Sequence, residues 1–335
     1  MSHSSYRLSS KQRLNKVLHD EIPDRVPWVD HFMNNDLPNQ ILKKQFKHQY
    51  KYIRNFPEIL DYLGMDAFEF RVTAPVYCEI LKKNGIEMYG KGLIKSRKDL
   101  DEIILPNPGS EDILYEAEIL SKKYGDKYAL ILSTRSGFMN TYLSLGFDGF
   151  SYALVDDPGL IDDLYYRMRD WTLELVENLK QFKFDAIRVT DDIAYKNGLL
   201  FSPLILEKYL FPAHKLVKET SGLPFIFHSD GNFLAIMDRL IEIGVDVVSN
   251  IEPEAMDIIE LKKQYGDKVK IMGNISMNTL AAGTPEEVYE ETKEKLQLLA
   301  PGGGFILSSS NSLPIYCKPE NIIAIKEALA DYGWY

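Results

Sequence analysis

Eight short apolar runs, each trailed by polar residues and most separated by helical periodicity, limit this chain more than any other feature. They are Arg25–Asp30, Asp66–Arg71, Tyr128–Ser133, Asp185–Thr190, Phe225–His228, Gly244–Asn250, Val269–Gly273 and Gly304–Leu307. Buried strands alternating with helices imply a parallel sheet, and right-handed crossovers close eight such units into a (β/α)8 TIM barrel. The expected fold is therefore α/β, with residues 1–335 as one domain. An open doubly wound sheet would need a GxGxxG turn opening a helix, which is missing. Gly302-Gly303-Gly304 precedes a strand instead, where it permits a sharp backbone turn.

Two features decorate that frame. Residues 1–24 read as an N-terminal helical extension, with an amphipathic helix from Ser9 to Asp20. Residues 76–96 read as a hairpin inserted after the second run, because Asn84-Gly85 lies between two alternating stretches. Between the first two runs, helices are expected over Gln40–Arg54 and Phe56–Leu63.

A net charge of -10 argues against nucleic acid or an anionic membrane as partner. Two cysteines, Cys78 and Cys317, with no CxxC pair, fit a reducing cytoplasm. There is no signal-peptide pattern and no run near the roughly 18 apolar residues of a membrane span. The expectation is a cytoplasmic protein.

Barrels place their chemistry at the carboxyl ends of strands. Those ends here carry Asp30/His31, Glu69/Arg71, Thr134/Arg135, Asp191/Asp192, His228/Asp230, Asn250/Glu252, Asn274 and Ser308 to Asn311. Carboxylates, an imidazole and amides suit a hard or borderline cation such as zinc. One spacing is more pointed: Asp192, Glu207 and His228, separated by 14 and 20 residues. Asp192 and His228 end neighbouring strands, and Glu207 falls in the first turn of the helix between them. Three N/O ligands with an open position form a catalytic zinc site. Against this, acidic residues are common in first helical turns for dipole reasons, and a histidine after an apolar run is often structural.

An ordered series carries a family resemblance. His228-Ser229-Asp230-Gly231-Asn232 is followed by Gly244-Val245-Asp246, Gly273-Asn274-Ile275, Thr284-Pro285-Glu286-Glu287, Gly302-Gly303-Gly304-Phe305 and Pro319-Glu320-Asn321-Ile322. It resembles the uroporphyrinogen decarboxylase superfamily over about the last 150 residues. The decarboxylase branch has an arginine-rich N-terminal motif that grips propionates, and an LGHG-like motif after the last strand. Here Val29 to Asn35 and Ser309-Ser310-Asn311-Ser312 stand in those places. Lacking those grips, a net-negative pocket is expected to hold a multi-carboxylate poorly. The thiol-methylating branch holds zinc with an HxC motif and a later cysteine, where this chain has Asp230 and Asn311.

The pattern is most similar to the corrinoid-dependent O-demethylase methyltransferases, whose E-x14-E-x20-H spacing is matched by Asp192, Glu207 and His228 with Asp for the first Glu, a departure that makes Asp191 the alternative first ligand. That resemblance implies zinc, a small methylated donor such as an aromatic ether, and a corrinoid (cobalamin) protein as methyl acceptor. Asp230, Asn250, Asn274, Asn311 and Arg135 are the candidates for orienting the substrate, and a homodimer is a further implication. The alternatives are a decarboxylase of a smaller acid and a non-enzymatic corrinoid- or tetrapyrrole-binding barrel.

Overall fold

The computed structural model describes residues 7–47, 50–83 and 86–335. Seven parallel strands form its centre: Ala67–Arg71, Ala129–Thr134, Ala186–Thr190, Phe225–His228, Val247–Ser249, Lys270–Ile275 and Phe305–Ser309. They pair in chain order, each with the next. An eighth strand of the sheet, Ile53–Arg54, lies antiparallel outside Ala67–Arg71, with Arg54 opposite Glu69.

The extended segment around Trp28 joins the two ends of the parallel series. Trp28 bridges Leu307 in parallel, Val29 N–H donates to the Leu307 carbonyl at 2.9 Å, and Asp66 N–H donates to the Trp28 carbonyl at 2.8 Å. Asp30 fastens the join. Its buried carboxylate accepts from the Trp28 indole and from the backbone and hydroxyl of Ser309. The residue expected to face the mouth thus stitches strands together.

Strand alternation sends side chains to opposite faces, so one set points into the ring. At the bottom Ala67, Ala129, Ala186, Ile226 and Val247 cluster with Leu14, Val17 and Leu18 of the helix Ser10–Leu18. That helix is capped by Ser9, whose hydroxyl accepts from Gln12 N–H while the Gln12 side chain accepts from Ser9. The opposite strand faces, Phe68, Phe70 and Leu130 among them, pack against the surrounding helices in the main core. Large apolar residues outside and small ones at the narrow inner base suit a closed, tapering sheet.

Two expected elements differ: the first expected strand, Arg25–Asp30, is extended but forms only isolated bridges, and the first helix after it has other bounds. The helix over Gln40–Arg54 is instead Asp36–Leu42, ended by Lys43 in the left-handed region at φ 51°. The Glu116 carboxylate then accepts from the N–H groups of Lys51 and Tyr52, both at 2.7 Å, and of Ile53. A carboxylate reaching in from a helix 60-odd residues away holds this backbone extended, which no local pattern records.

Between the first two ring strands, Cys78–Lys83 and Ile86–Gly92 pair antiparallel; the Asn84-Gly85 turn lies outside the described residues. After Ala186–Thr190, a miniature hairpin pairs Ala194–Tyr195 with Gly198–Leu199. Pro203–Ser221 is one helical stretch with a π segment, Leu206–Leu210. Pro212 lacks the N–H that an α-turn there would use, which accounts for the widened turn. Among the described residues no helix is long and apolar enough to cross a membrane.

A candidate metal site at the mouth of the ring

The inward row continues upward from the apolar base into charge. Glu69 accepts from Arg188 at 3.3 Å and is 2.9 Å from His31 Nδ1, and Arg188 also reaches the Met272 sulfur. Burial pushes Glu69 up, but His31 and Arg188 outweigh it and hold the carboxylate well below its ordinary range. This layer closes the floor of a cavity of about 390 Å³. Lining it are His31, Arg54, Arg71, Tyr89, Arg135, Asp192, His228, Asp230 and Asn311, among others.

Asp192, His228 and Asp230 meet here, each offering one ligand atom, all within 4.8 Å of one another. His228 ends its strand facing inward, two residues above Ile226. Its Nε2 is 3.9 Å from Asp230 Oδ1, and Ser249 Oγ stands 3.5 Å from Nδ1. Asp230 N–H donates to Asp192 Oδ1 at 3.2 Å, linking the two acids through the backbone. Asn250 donates to Asp230 Oδ1 at 2.9 Å, and Asn311 donates to both its oxygens at 3.2 Å. Tyr142 O–H fixes the other end of the pair by donating to the Asp192 carbonyl at 2.7 Å.

The turn that presents Asp230 depends on Gly231. Its φ is +80°, and a Cβ there would lie 2.5 Å from the Tyr195 amide nitrogen. Its N–H donates to Glu252 and the next N–H, of Asn232, donates to the Tyr195 carbonyl. Only glycine combines that backbone with that approach.

Electrostatics favour a cation among these three groups. Burial, with the Arg188 and Arg71 charges, drives His228 well below its usual value, leaving the neutral imidazole a metal requires. Burial also pushes Asp192 up, against the Asp230 amide and Arg135. Burial and the Asp192 charge push Asp230 up to about 7. Two carboxylates that repel and a neutral imidazole form a hard N/O donor set, which fits zinc.

Other expected ligands lie elsewhere. Glu207 forms a bidentate ion pair with Arg239, both bonds 2.9 Å, with its side chain 47% exposed. It is not brought to Asp192 or His228, because the helical surface on which it sits turns it toward solvent. Asp191 is wholly buried and points away from the cavity, accepting from His214 Nε2 at 2.8 Å and from the N–H groups of Ser136 and Met139. Asn274 is buried with its Oδ1 unpaired and does not line the cavity. Asn250, Asn311 and Arg135 do reach the site.

Sequence reasoning missed Arg54 and Tyr89. Tyr89, on the hairpin strand Ile86–Gly92, accepts from Arg135 Nη2 at 2.9 Å. Arg54 was hidden by the helical reading of its segment, though Tyr52-Ile53-Arg54 does alternate. The expectation of a net-negative pocket is also corrected, since Arg54, Arg71 and Arg135 all line it.

Together the strands form a ring of α/β-barrel type with a charged mouth. The chain belongs to the uroporphyrinogen decarboxylase (URO-D) family, whose match covers residues 81–332. It is 31% identical over 122 residues to uroporphyrinogen decarboxylase of Dechloromonas aromatica, covering 35% of this chain and 33% of that one. It is 27% identical over 149 residues to the methylcobamide:CoM methyltransferase MtaA of Methanosarcina barkeri, covering 44% and 42%. The chain thus spans a third to two fifths of the length of these relatives. In fold it matches a methyltransferase from Methanosarcina mazei at a TM-score of 0.74 and 18% identity, over 97% of this chain and 99% of that one. Decarboxylases and methyltransferases both stand among its relatives.

Proposed function

We propose that the protein is a zinc-dependent methyltransferase that takes a methyl group from a small methylated donor, a methoxylated aromatic, and delivers it to a corrinoid protein. The observation that carries this reading is the convergence of Asp192, His228 and Asp230 in a cavity sized for a single ring. Likeness to a cobamide-linked methyltransferase supports the choice of reaction.

Asp192, His228 and Asp230 would hold the metal, with Asp230 in place of the expected Glu207. A zinc ion bound there supplies Lewis acidity toward the donor's ether oxygen. The chain's own contribution is to keep the ligands fixed and correctly charged. Asn250 and Asn311 hold the Asp230 carboxylate from two sides, so that it need not reorganise when a ligand arrives. Burial, with the Arg188 and Arg71 charges, keeps His228 neutral. The net reaction leaves the phenol and a methylated corrinoid.

Elemental analysis of the purified chain, followed by incubation of methoxybenzoates with a reduced corrinoid protein, tests the reading. About one zinc per chain and release of free phenol are expected. CO₂ release from an acid substrate without metal would replace it with the decarboxylase alternative.

A further inference from the structure

On the side of the cavity formed by the seam, three side chains make a hydrogen-bonded chain that the metal cluster does not use. His31 Nε2 lies 2.7 Å from Ser312 Oγ, and its Nδ1 lies 2.9 Å from Glu69 Oε2. The three come from separate parts of the ring: His31 from the extended segment after Trp28, Glu69 from Ala67–Arg71, and Ser312 from the loop after Phe305–Ser309. Backbone pairing brings the first and last together. Phe32 bridges Leu313 in parallel, Leu313 N–H donates to the His31 carbonyl at 2.9 Å, and Met33 N–H donates to the Leu313 carbonyl at 3.0 Å. Ser312 is fixed further by its N–H, which donates to Asn311 Oδ1 at 2.7 Å.

Glu69 sets the direction of the protons along this chain. Burial disfavours its charge, but His31, Arg188 and Arg71 outweigh burial and keep the carboxylate ionised. An ionised carboxylate only accepts, so the neutral His31 ring carries its proton on Nδ1. Its Nε2 is then a bare lone pair, and the Ser312 hydroxyl donates to it. A hydroxyl bonded to an imidazole whose other nitrogen is held by a buried carboxylate is primed as a nucleophile.

A purely structural role accounts for this chain poorly. The seam is already closed by the backbone bonds around Phe32 and by Asp30 on Ser309. His31 and Ser312 are also only half-buried and both line the cavity, where water could satisfy either of them.

We infer that Ser312, His31 and Glu69 form an acyl-transfer centre beside the metal ligands, with an aryl ester of a short carboxylic acid as its substrate class. Ser312 is the nucleophile, His31 the general base, and Glu69 the positioning residue that acts through His31. Ser312 Oγ bonds to the ester carbonyl carbon while its proton passes to His31 Nε2. The bond from that carbon to the aryl oxygen then breaks, and the aryl oxygen leaves with the proton from His31 as a phenol. Water, giving its proton to His31, next attacks the acyl-serine, so that the acid is released and the serine hydroxyl restored. The cycle needs no metal and no redox partner, and it goes beyond the methyl-transfer reading without depending on it. A cavity of about 390 Å³ takes one ring with a short acyl chain. Arg54, opposite Glu69 in the antiparallel pair, lines the same cavity and supplies positive charge for the oxyanion.

The purified full chain, treated with a chelator so that no metal-bound hydroxide contributes, is given 4-nitrophenyl acetate and, separately, an alkyl fluorophosphonate. Nitrophenol release is expected, together with about one stable phosphonyl group per chain, placed on Ser312 by peptide mass spectrometry. Ser312→Ala should abolish the label and slow ester cleavage ~100-fold or more, with an unchanged circular dichroism spectrum. His31→Gln should slow both reactions ~100-fold or more. Glu69→Gln should slow labelling ~10-fold or more yet leave its final extent at about one per chain, whereas a merely structural loss would cut the extent instead. If that buried variant fails to fold, Ser312→Ala and His31→Gln, both at half-buried positions, decide the matter. A label on another residue, no label at all, or ester cleavage undiminished in Ser312→Ala would overturn the inference. So would cleavage that appears only on adding zinc and survives Ser312→Ala, which would assign the chemistry to the metal ligands.

Discussion

The two charged walls of the cavity stand mostly at the carboxyl ends of parallel strands, with Arg54 on the antiparallel outer strand, yet they are built by opposite means. Asp192, His228 and Asp230 have short side chains, held by amides, a tyrosine bound to the backbone and a glycine turn. Arg54, Arg71 and Arg135 are long, contact one another's surroundings loosely, and depend on elements outside the ring, a two-residue outer strand and a hairpin tyrosine. A metal site needs ligand atoms fixed to about half an ångström, which short side chains anchored by hydrogen bonds provide. Groups that supply charge alone tolerate more play, because charge acts over distance. The contrast separates what holds position from what supplies field.

The largest effect should come from removing a ligand on the rigid wall. His228→Ala is expected to lower zinc affinity by more than ~100-fold and abolish methyl transfer, with the circular dichroism spectrum unchanged. Retained zinc in a folded variant would place the metal elsewhere. On the loose wall, the comparable lever is the backbone pin. Glu116→Ala leaves two short N–H···O bonds unmade and should cost ~2–3 kcal/mol in chemical denaturation, releasing Tyr52–Arg54 from the sheet. Should stability hold, Arg54 does not rely on that carboxylate.

A smaller effect follows from charge. Asp230 sits at about 7 in the folded chain, against an ordinary 3.8. Between those values the metal-free fold keeps a proton that the unfolded chain has lost, so this group's contribution to stability falls as pH rises from about 4 to about 7. Zinc must displace that proton. Its apparent affinity should therefore drop up to ~10-fold per unit of pH below about 7 and level off above, while neutral His228 adds nothing. Zinc titration across that range in two buffers of different ionisation heat reads the released proton. An affinity independent of pH there would mean that Asp230 is already ionised.

The sequence was most legible where the ring is regular. From Tyr128 to Leu307 the expected strands coincide with observed ones to within a few residues, because apolar runs between capped helices leave little choice of fold. His228 and Asp230 were legible for the same reason: both follow a short buried strand. Legibility failed where a distant side chain decides. Glu116 overrides the helical pattern before Arg54, and Asp30 is drawn from the mouth into a seam by Ser309. Tyr89 could not be assigned to the cavity, since nothing in a hairpin pattern says where its flank will fold.

Glu207 is the sharpest case, because spacing alone supports it. Asp192, Glu207 and His228 keep the 14- and 20-residue intervals of a zinc pattern. Intervals fix a residue's turn on a helix but not the direction its side chain takes when a competing partner stands nearby. Arg239 supplies that partner with two 2.9 Å bonds, and solvent covers nearly half of the carboxylate. An exposed pair of this kind contributes ~0–1 kcal/mol. Glu207→Ala should accordingly leave zinc content and methyl transfer near those of the natural chain and lower stability by no more than that. Asp230→Asn, by contrast, should deplete the metal. If the two variants behave the other way round, the helix carrying Glu207 must turn inward to complete the site, and Asp230 becomes a support for the ligands instead of one of them.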